Sequence, residues 1–158
     1  MNDSIEIAMN DSIDSEKFTL TFQRTIAASR EKVFDAWTRP EQIAQWWDPT
    51  GTPLVGCTID LRPDGAFRFE NAGHSQPFCG VYKLVERPST LVFEALGTLG
   101  TVSLEQDGDR TRMHVTIRCG SAEHLEMFLK LGVKENTSKT MDNLVAHLLS
   151  GGAPSAAP

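Results

Sequence analysis

The chain has 158 residues, 40% hydrophobic and 23% charged, a composition suited to one globular domain that builds its core without metal or disulfide help. A net charge of -6 and a pI near 5.2 argue against a nucleic-acid binder, and no run of about 18 apolar residues offers a membrane span. Three cysteines, Cys57, Cys79 and Cys119, give no disulfide framework, so free thiols in a reducing cytoplasm are expected.

The chain opens on a local duplication, "MNDSI" at Met1–Ile5 and again at Met9–Ile13, acidic and without the apolar stretch of a secretory signal. It closes on "SGGAPSAAP", small and Gly/Pro/Ala-rich. These ends predict a flexible segment over 1–16, a folded domain over 17–150 and a flexible tail over 151–158.

The first strand is predicted over Lys17–Ile26, where Phe18, Leu20, Phe22 and Ile26 alternate with polar residues. Arg24 falls on the apolar parity and is read as a strand end reaching solvent, or as a charge facing a cavity. Ser29 can cap a helix with Val33, Phe34 and Trp37 on its apolar stripe. Pro40 suits the first turn of a second short helix, in which Ile43, Trp46 and Trp47 share a face until Pro49 and Gly51 stop it.

Strands follow at Val55–Leu61, Ala66–Glu70, Phe78–Val85, Thr90–Leu96, Gly97–Gln106 and Arg110–Cys119. Turn chemistry at "RPDG", "ERPS" and "DGD" separates several of them, and "NAGHSQP" reads as a loop that carries His74. Two helical stripes close the domain in different phases. Leu125, Phe128 and Leu129 make one; Val133, Thr137, Met141, Leu144, Val145 and Leu148 make the other. A short helix from Ala122, a break near Gly132 and a main helix over Val133–Leu149 account for both.

The result is an α+β domain: an antiparallel sheet of about six or seven strands, two short helices after the first strand, and a long C-terminal helix as the cover for the sheet's apolar face. A curved sheet wrapped on one helix leaves a space that tends to become a ligand cavity.

The order of segments resembles the START-like (SRPBCC) superfamily. Within it, the chain is similar to the branch homologous to the activator of the heat shock protein 90 ATPase, which also holds antibiotic-sequestering proteins. The resemblance rests on "TIAASREKVFDAWTRPEQIAQWW", "DLRPDGAFRF", "GVYKLVERPSTLVF", "DGDRTRMHVTI" and "GVKENTSKTMDNLVAHL", in this order. It departs from the family at Asp64-Gly65, where a double Gly is common, at Arg39, where an acidic residue or Asn often caps the next helix, and at Asn136, where a second Gly is frequent. The resemblance implies a helix-grip (START/Bet v 1-like) fold with a cavity between sheet and last helix.

No nucleophile elbow, Walker loop, HExxH or CxxC is present. His114 and Cys119 differ by an odd number and face opposite sides of one strand, so with His124 they make no zinc site. Neither a catalytic set, a metal nor a cofactor is expected. Candidate ligand-binding residues are Trp47 and Trp46, the strand aromatics Phe67, Phe69, Tyr82 and Phe93, the strand residues Met113 and Val115, and Asn136, Thr137, Thr140 and Met141 on the main helix. The two tryptophans stand about 100° apart on a helix. One is expected to anchor the helix pair, and Trp47 to lie nearer the cavity mouth.

The function expected is binding of a small apolar or aromatic molecule, with a stress or toxin role. The expected partner is therefore a small hydrophobic molecule, with no nucleic acid and no membrane. An uncovered edge strand can support a homodimer. A cyclase- or hydrolase-type enzyme is the alternative, and it requires Arg24, Tyr82, Glu70 or Glu94 to form a titratable pair in the cavity. An interaction protein like the chaperone activator is a third reading, by fold analogy alone.

Overall fold

The alternation that predicts the first strand also sets the architecture. In the computed structural model, which describes residues 9–72 and 76–150, Leu20, Phe22, Arg24 and Ile26 all point into the core from β2 (Thr19–Ile26). Before it comes β1 (Met9–Asp14) and after it α1 (Arg30–Thr38), α2 (Pro40–Trp46), β3 (Gly56–Ile59), β4 (Ala66–Glu70), β5 (Phe78–Glu86), β6 (Thr90–Ala95), β7 (Thr98–Asp107), β8 (Arg110–Arg118), α3 (Ala122–Lys130) and α4 (Val133–Leu149). The eight strands form one curved sheet in the order β1-β2-β8-β7-β6-β5-β4-β3, antiparallel throughout. This is a helix-grip α+β fold: α4 lies on the concave face against β2, α1, α2 and α3.

The sheet has one strand more than expected, because residues 9–14 pair along β2 from Met9↔Arg24 to Asp14↔Thr19. The folded part thus begins before Lys17. The missing signal has a physical cause. The inward residue opposite Phe22 is Asp11, a carboxylate where periodicity expects an apolar side chain, and Arg24 neutralises it. The first copy of "MNDSI", His74 and the tail 151–158 lie outside the described residues.

Local chemistry places the helices. Ser29 Oγ accepts the Lys32 N–H at 3.3 Å to cap α1, and Pro40 opens α2. Between α3 and α4 the chain passes through Gly132 at φ 79°, the left-handed region that glycine enters without strain. That single residue rotates α4 relative to α3 and produces the two stripe phases seen in the sequence. Arg24 corrects the solvent reading made above: it is 2% exposed. Its Nη1 meets Asp11 Oδ1 at 2.6 Å, its Nε meets Asp142 Oδ1 at 3.2 Å, and its Nη2 donates to Ser138 Oγ at 3.0 Å. Ser138 Oγ in turn donates to Asp11 Oδ2 at 2.6 Å, so the cluster ties β1, β2 and α4 together.

Candidate functional site

Between α4 and the sheet lies a cavity of about 250 Å³. Phe93 and Thr98, with Val115 and Ile117, form the sheet side; Val133, Asn136, Thr137, Thr140 and Met141 form the helix side. Trp37 of α1, Trp47 with Pro49, Phe78 and Phe128 close the ends. Among the described residues no charged side chain lines it.

Two cross-strand pairs shape the aromatic wall. Phe67 stands opposite Gly80, and Phe93 opposite Gly100. A Cβ at Gly80 would lie 2.5 Å from Phe67 Cζ, and one at Gly100 2.5 Å from Phe93 Cε2. Both rings therefore lie over glycines: a side chain at Gly100 would push Phe93 into the cavity, and one at Gly80 would meet the Phe67 ring behind the wall and the Glu94 carbonyl.

The adjacent tryptophans divide by environment. Trp46 is fully buried outside the cavity, donates its indole N–H to Ala36 O at 3.0 Å and meets Trp37 edge-on at a centroid distance of 4.9 Å. Trp47 is half-buried on the cavity wall, 4.9 Å from the Phe69 ring and 5.1 Å from Phe78.

Other predicted site residues lie behind the wall. Phe67, Phe69 and Tyr82 pack around a remnant of about 10 Å³, at the lower limit for a single water. Met113 is fully buried, and its Sδ accepts the Trp37 indole N–H at 3.4 Å. Burial pushes the Tyr82 hydroxyl pKa well up, helped by the neighbouring Cys57 thiol, so it stays protonated. Cys57 is pushed up to about 11 by burial and by Glu41, and Cys119 is raised by burial; both thiols are protonated at neutral pH and inert as nucleophiles. The residues named for an enzyme stand elsewhere. Glu94 is exposed on the opposite sheet face, and Glu70 pairs with Arg68 at 2.7 Å on that same side. Arg24 sits in its ion cluster. His114 is exposed, whereas His124 Nδ1 accepts the Gly120 N–H at 3.2 Å.

The polar groups of the wall differ in what remains available. Thr140 Oγ1 donates to Trp47 O at 3.1 Å and Thr98 Oγ1 to Ala95 O at 2.7 Å. Asn136 is exposed at the rim and Thr137 half-buried, and among the described residues neither side chain has a hydrogen-bond partner. Trp37, Pro49, Phe78, Leu96, Thr98, Gly100, Ile117, Phe128 and Val133 line the cavity without being among the candidate site residues named from the sequence. Trp37 is accounted for by the α1 stripe, and the parity of Phe78–Val85 is obscured by a register shift between Tyr82 and Leu84.

The loop that carries Trp47 is stapled in place. Asp48, 7% exposed, accepts from the backbone N–H and hydroxyl of Thr50 and, at 2.8 Å, from Asn71 Nδ2. Its carbonyl accepts from Asn143 Nδ2 of α4 at 2.9 Å. Burial alone would raise the Asp48 pKa, but the bonds from Thr50 and Asn71 outweigh it and hold the carboxyl below its ordinary 3.8. Asp11 is likewise lowered, because bonds from Arg24 and Ser138 outweigh its burial. A carboxyl lower in the folded than in the unfolded chain stabilises fully above the unfolded value. That stability is lost as pH falls through the folded value. Urea midpoints should therefore hold from neutral pH to about 4.5 and fall steeply below about 3.8. Asp48→Asn should flatten this fall in a pH series of urea melts.

With this geometry in place, the family model described as "Activator of Hsp90 ATPase homolog 1-like protein" matches residues 27–149, from the end of β2 through α4. The chain belongs to this family. Solved structures share the fold of this family member at low identity. A protein of Arthrobacter aurescens has 21% identity and TM-score 0.81, over 90% of this chain and 92% of its own. One of Rhodobacter sphaeroides has 20% identity and TM-score 0.80, over 90% and 99%. One of Nitrosomonas europaea has 21% identity and TM-score 0.78, over 87% and 97%. No curated protein matches the sequence.

Proposed function

We propose that the protein binds a neutral, largely aromatic small molecule in the cavity between sheet and α4. The ligand's polar end faces Asn136 and Thr137. The observation that carries this reading is a largely aromatic wall that, among the described residues, bears no charge and has two polar side chains without partners on one side. A charged ligand would lose its hydration there without a counter-charge. A volume of about 250 Å³ lies just under the usual range for drug-sized ligands, which favours a molecule of two or three fused or linked rings.

The fluorescent probe N-phenyl-1-naphthylamine tests this. It should bind with blue-shifted, enhanced emission, and its anionic relative 1-anilinonaphthalene-8-sulfonate should bind at least about tenfold more weakly. Equal binding of the two, or none of the neutral probe, contradicts the reading. Among the described residues no helix is long and apolar enough to cross a membrane, and the free cysteines favour a cytoplasmic setting. The edge strand β3 offers a surface for a homodimer.

A further inference from the structure

The turn between β6 and β7 has the wrong residue for its shape. Ala95 and Thr98 pair, so Leu96 and Gly97 alone make the connection, at φ 56° and φ 76°. Two positive φ values in a two-residue hairpin suit Asn-Gly or Gly-Gly; a leucine in the first place is strained. Its side chain gains nothing from burial in return, for Leu96 is 65% exposed. Backbone strain of this kind, where packing does not explain it, points to function.

The position of Leu96 supplies one. It lines the cavity on one side and, on the other, an open surface groove of about 690 Å³ bounded by Val81, Glu94, Leu99 and Arg118. Leu96 and Thr98 are the residues common to both spaces, and the Thr98 hydroxyl is tied back to Ala95 O. Across from the turn stands α3. A Cβ at Gly97 would lie 3.3 Å from His124 Cε1, and the His124 ring is set edge-on against Phe128 at 4.7 Å. Phe128 is itself part of the cavity wall. Turn and helix thus face each other with an exposed apolar side chain at Leu96 and, at Phe128, an aromatic one packed edge-on against His124.

We propose that Leu96 is the gate of the cavity, and that ligands pass between the β6–β7 turn and α3 from the outer groove. The inference rests on the ligand-binding reading above. A gate controls passage in both directions, whereas a wall residue mainly controls release.

Stopped-flow fluorescence with N-phenyl-1-naphthylamine separates these roles. For Leu96→Asn, association and dissociation rates should both rise about tenfold, equivalent to one small barrier removed. The Kd should change by less than about threefold, and the melting temperature should rise because asparagine accepts the left-handed turn. For Leu96→Trp both rates should fall. A change in dissociation alone makes Leu96 a wall residue and overturns the gate. Unchanged rates in both variants place the route elsewhere, and a lowered melting temperature for Leu96→Asn overturns the strain argument. In each of these cases the unsubstituted protein still binds the probe; if it does not, the cavity reading itself fails.

Discussion

Trp46→Ala should lower the stability of the protein by about 3–5 kcal/mol, a large part of the 5–15 kcal/mol that holds a typical domain together. Trp46 is fully buried, so truncation leaves a hole among Ala36, Trp37 and Ile43 that the two short helices cannot close without separating. It also leaves Ala36 O without its indole donor. Trp47→Ala should behave differently. Its ring is half-buried and its loss enlarges an existing cavity, so about 1–2 kcal/mol of stability is expected to go. Affinity for N-phenyl-1-naphthylamine should fall by about tenfold or more, since one face of the ligand loses an aromatic contact. Urea denaturation and probe titration on both variants check the pair. Equal destabilisation by the two substitutions contradicts the division of roles.

The second large effect belongs to the Arg24 cluster. Asp11→Ala leaves a guanidinium that is 2% exposed with the half-exposed Asp142 as its one carboxylate, at 3.2 Å, beside the Gln23 carbonyl at 2.9 Å and Ser138, whose hydroxyl loses its acceptor. A buried charge deprived of its partner costs about 3 kcal/mol. The double variant Asp11→Ala/Arg24→Met removes both charges and restores an apolar parity to β2. It should recover most of that loss, because apolar packing replaces buried ion pairs at little net cost. Urea denaturation of the single and double variants measures the difference. If the double variant is less stable than Asp11→Ala, the cluster contributes more than mutual neutralisation.

These two sites also mark what the sequence makes legible and what it does not. Periodicity finds β2, β8 and both short helices, because one face of each is apolar and the other polar. It finds the break at Gly132, because two stripes cannot share a phase across one helix. It misses β1, whose inward residue is the carboxylate Asp11, and with it the nearer partner of Arg24; the other partner, Asp142, lies 118 residues on and leaves no local mark, so Arg24 reads as a strand end in solvent. The runs Thr90–Leu96 and Gly97–Gln106 read as strands, but the turn between them carries no Asn-Gly signal, so Leu96 is counted as strand. At the candidate site the helix side is legible from the α4 stripe. The sheet side is not, because aromatic residues on a concave face alternate in the same way whether they line a cavity, as Phe93 does, or pack behind its wall, as Phe67 and Tyr82 do. The cross-strand pairs Phe67–Gly80 and Phe93–Gly100 could have been sought as a signal only once register was known.

The three tryptophans supply the most direct test of the cavity account. Each has one indole N–H, and Trp37 and Trp47 line the cavity whereas Trp46 does not. In a ¹H–¹⁵N spectrum titrated with N-phenyl-1-naphthylamine, the indole signals of Trp47 and Trp37 should move with the same saturation curve while that of Trp46 stays in place. Three unmoved signals, or a Trp46 signal that moves as far as the other two, would contradict a ligand site between the sheet and α4.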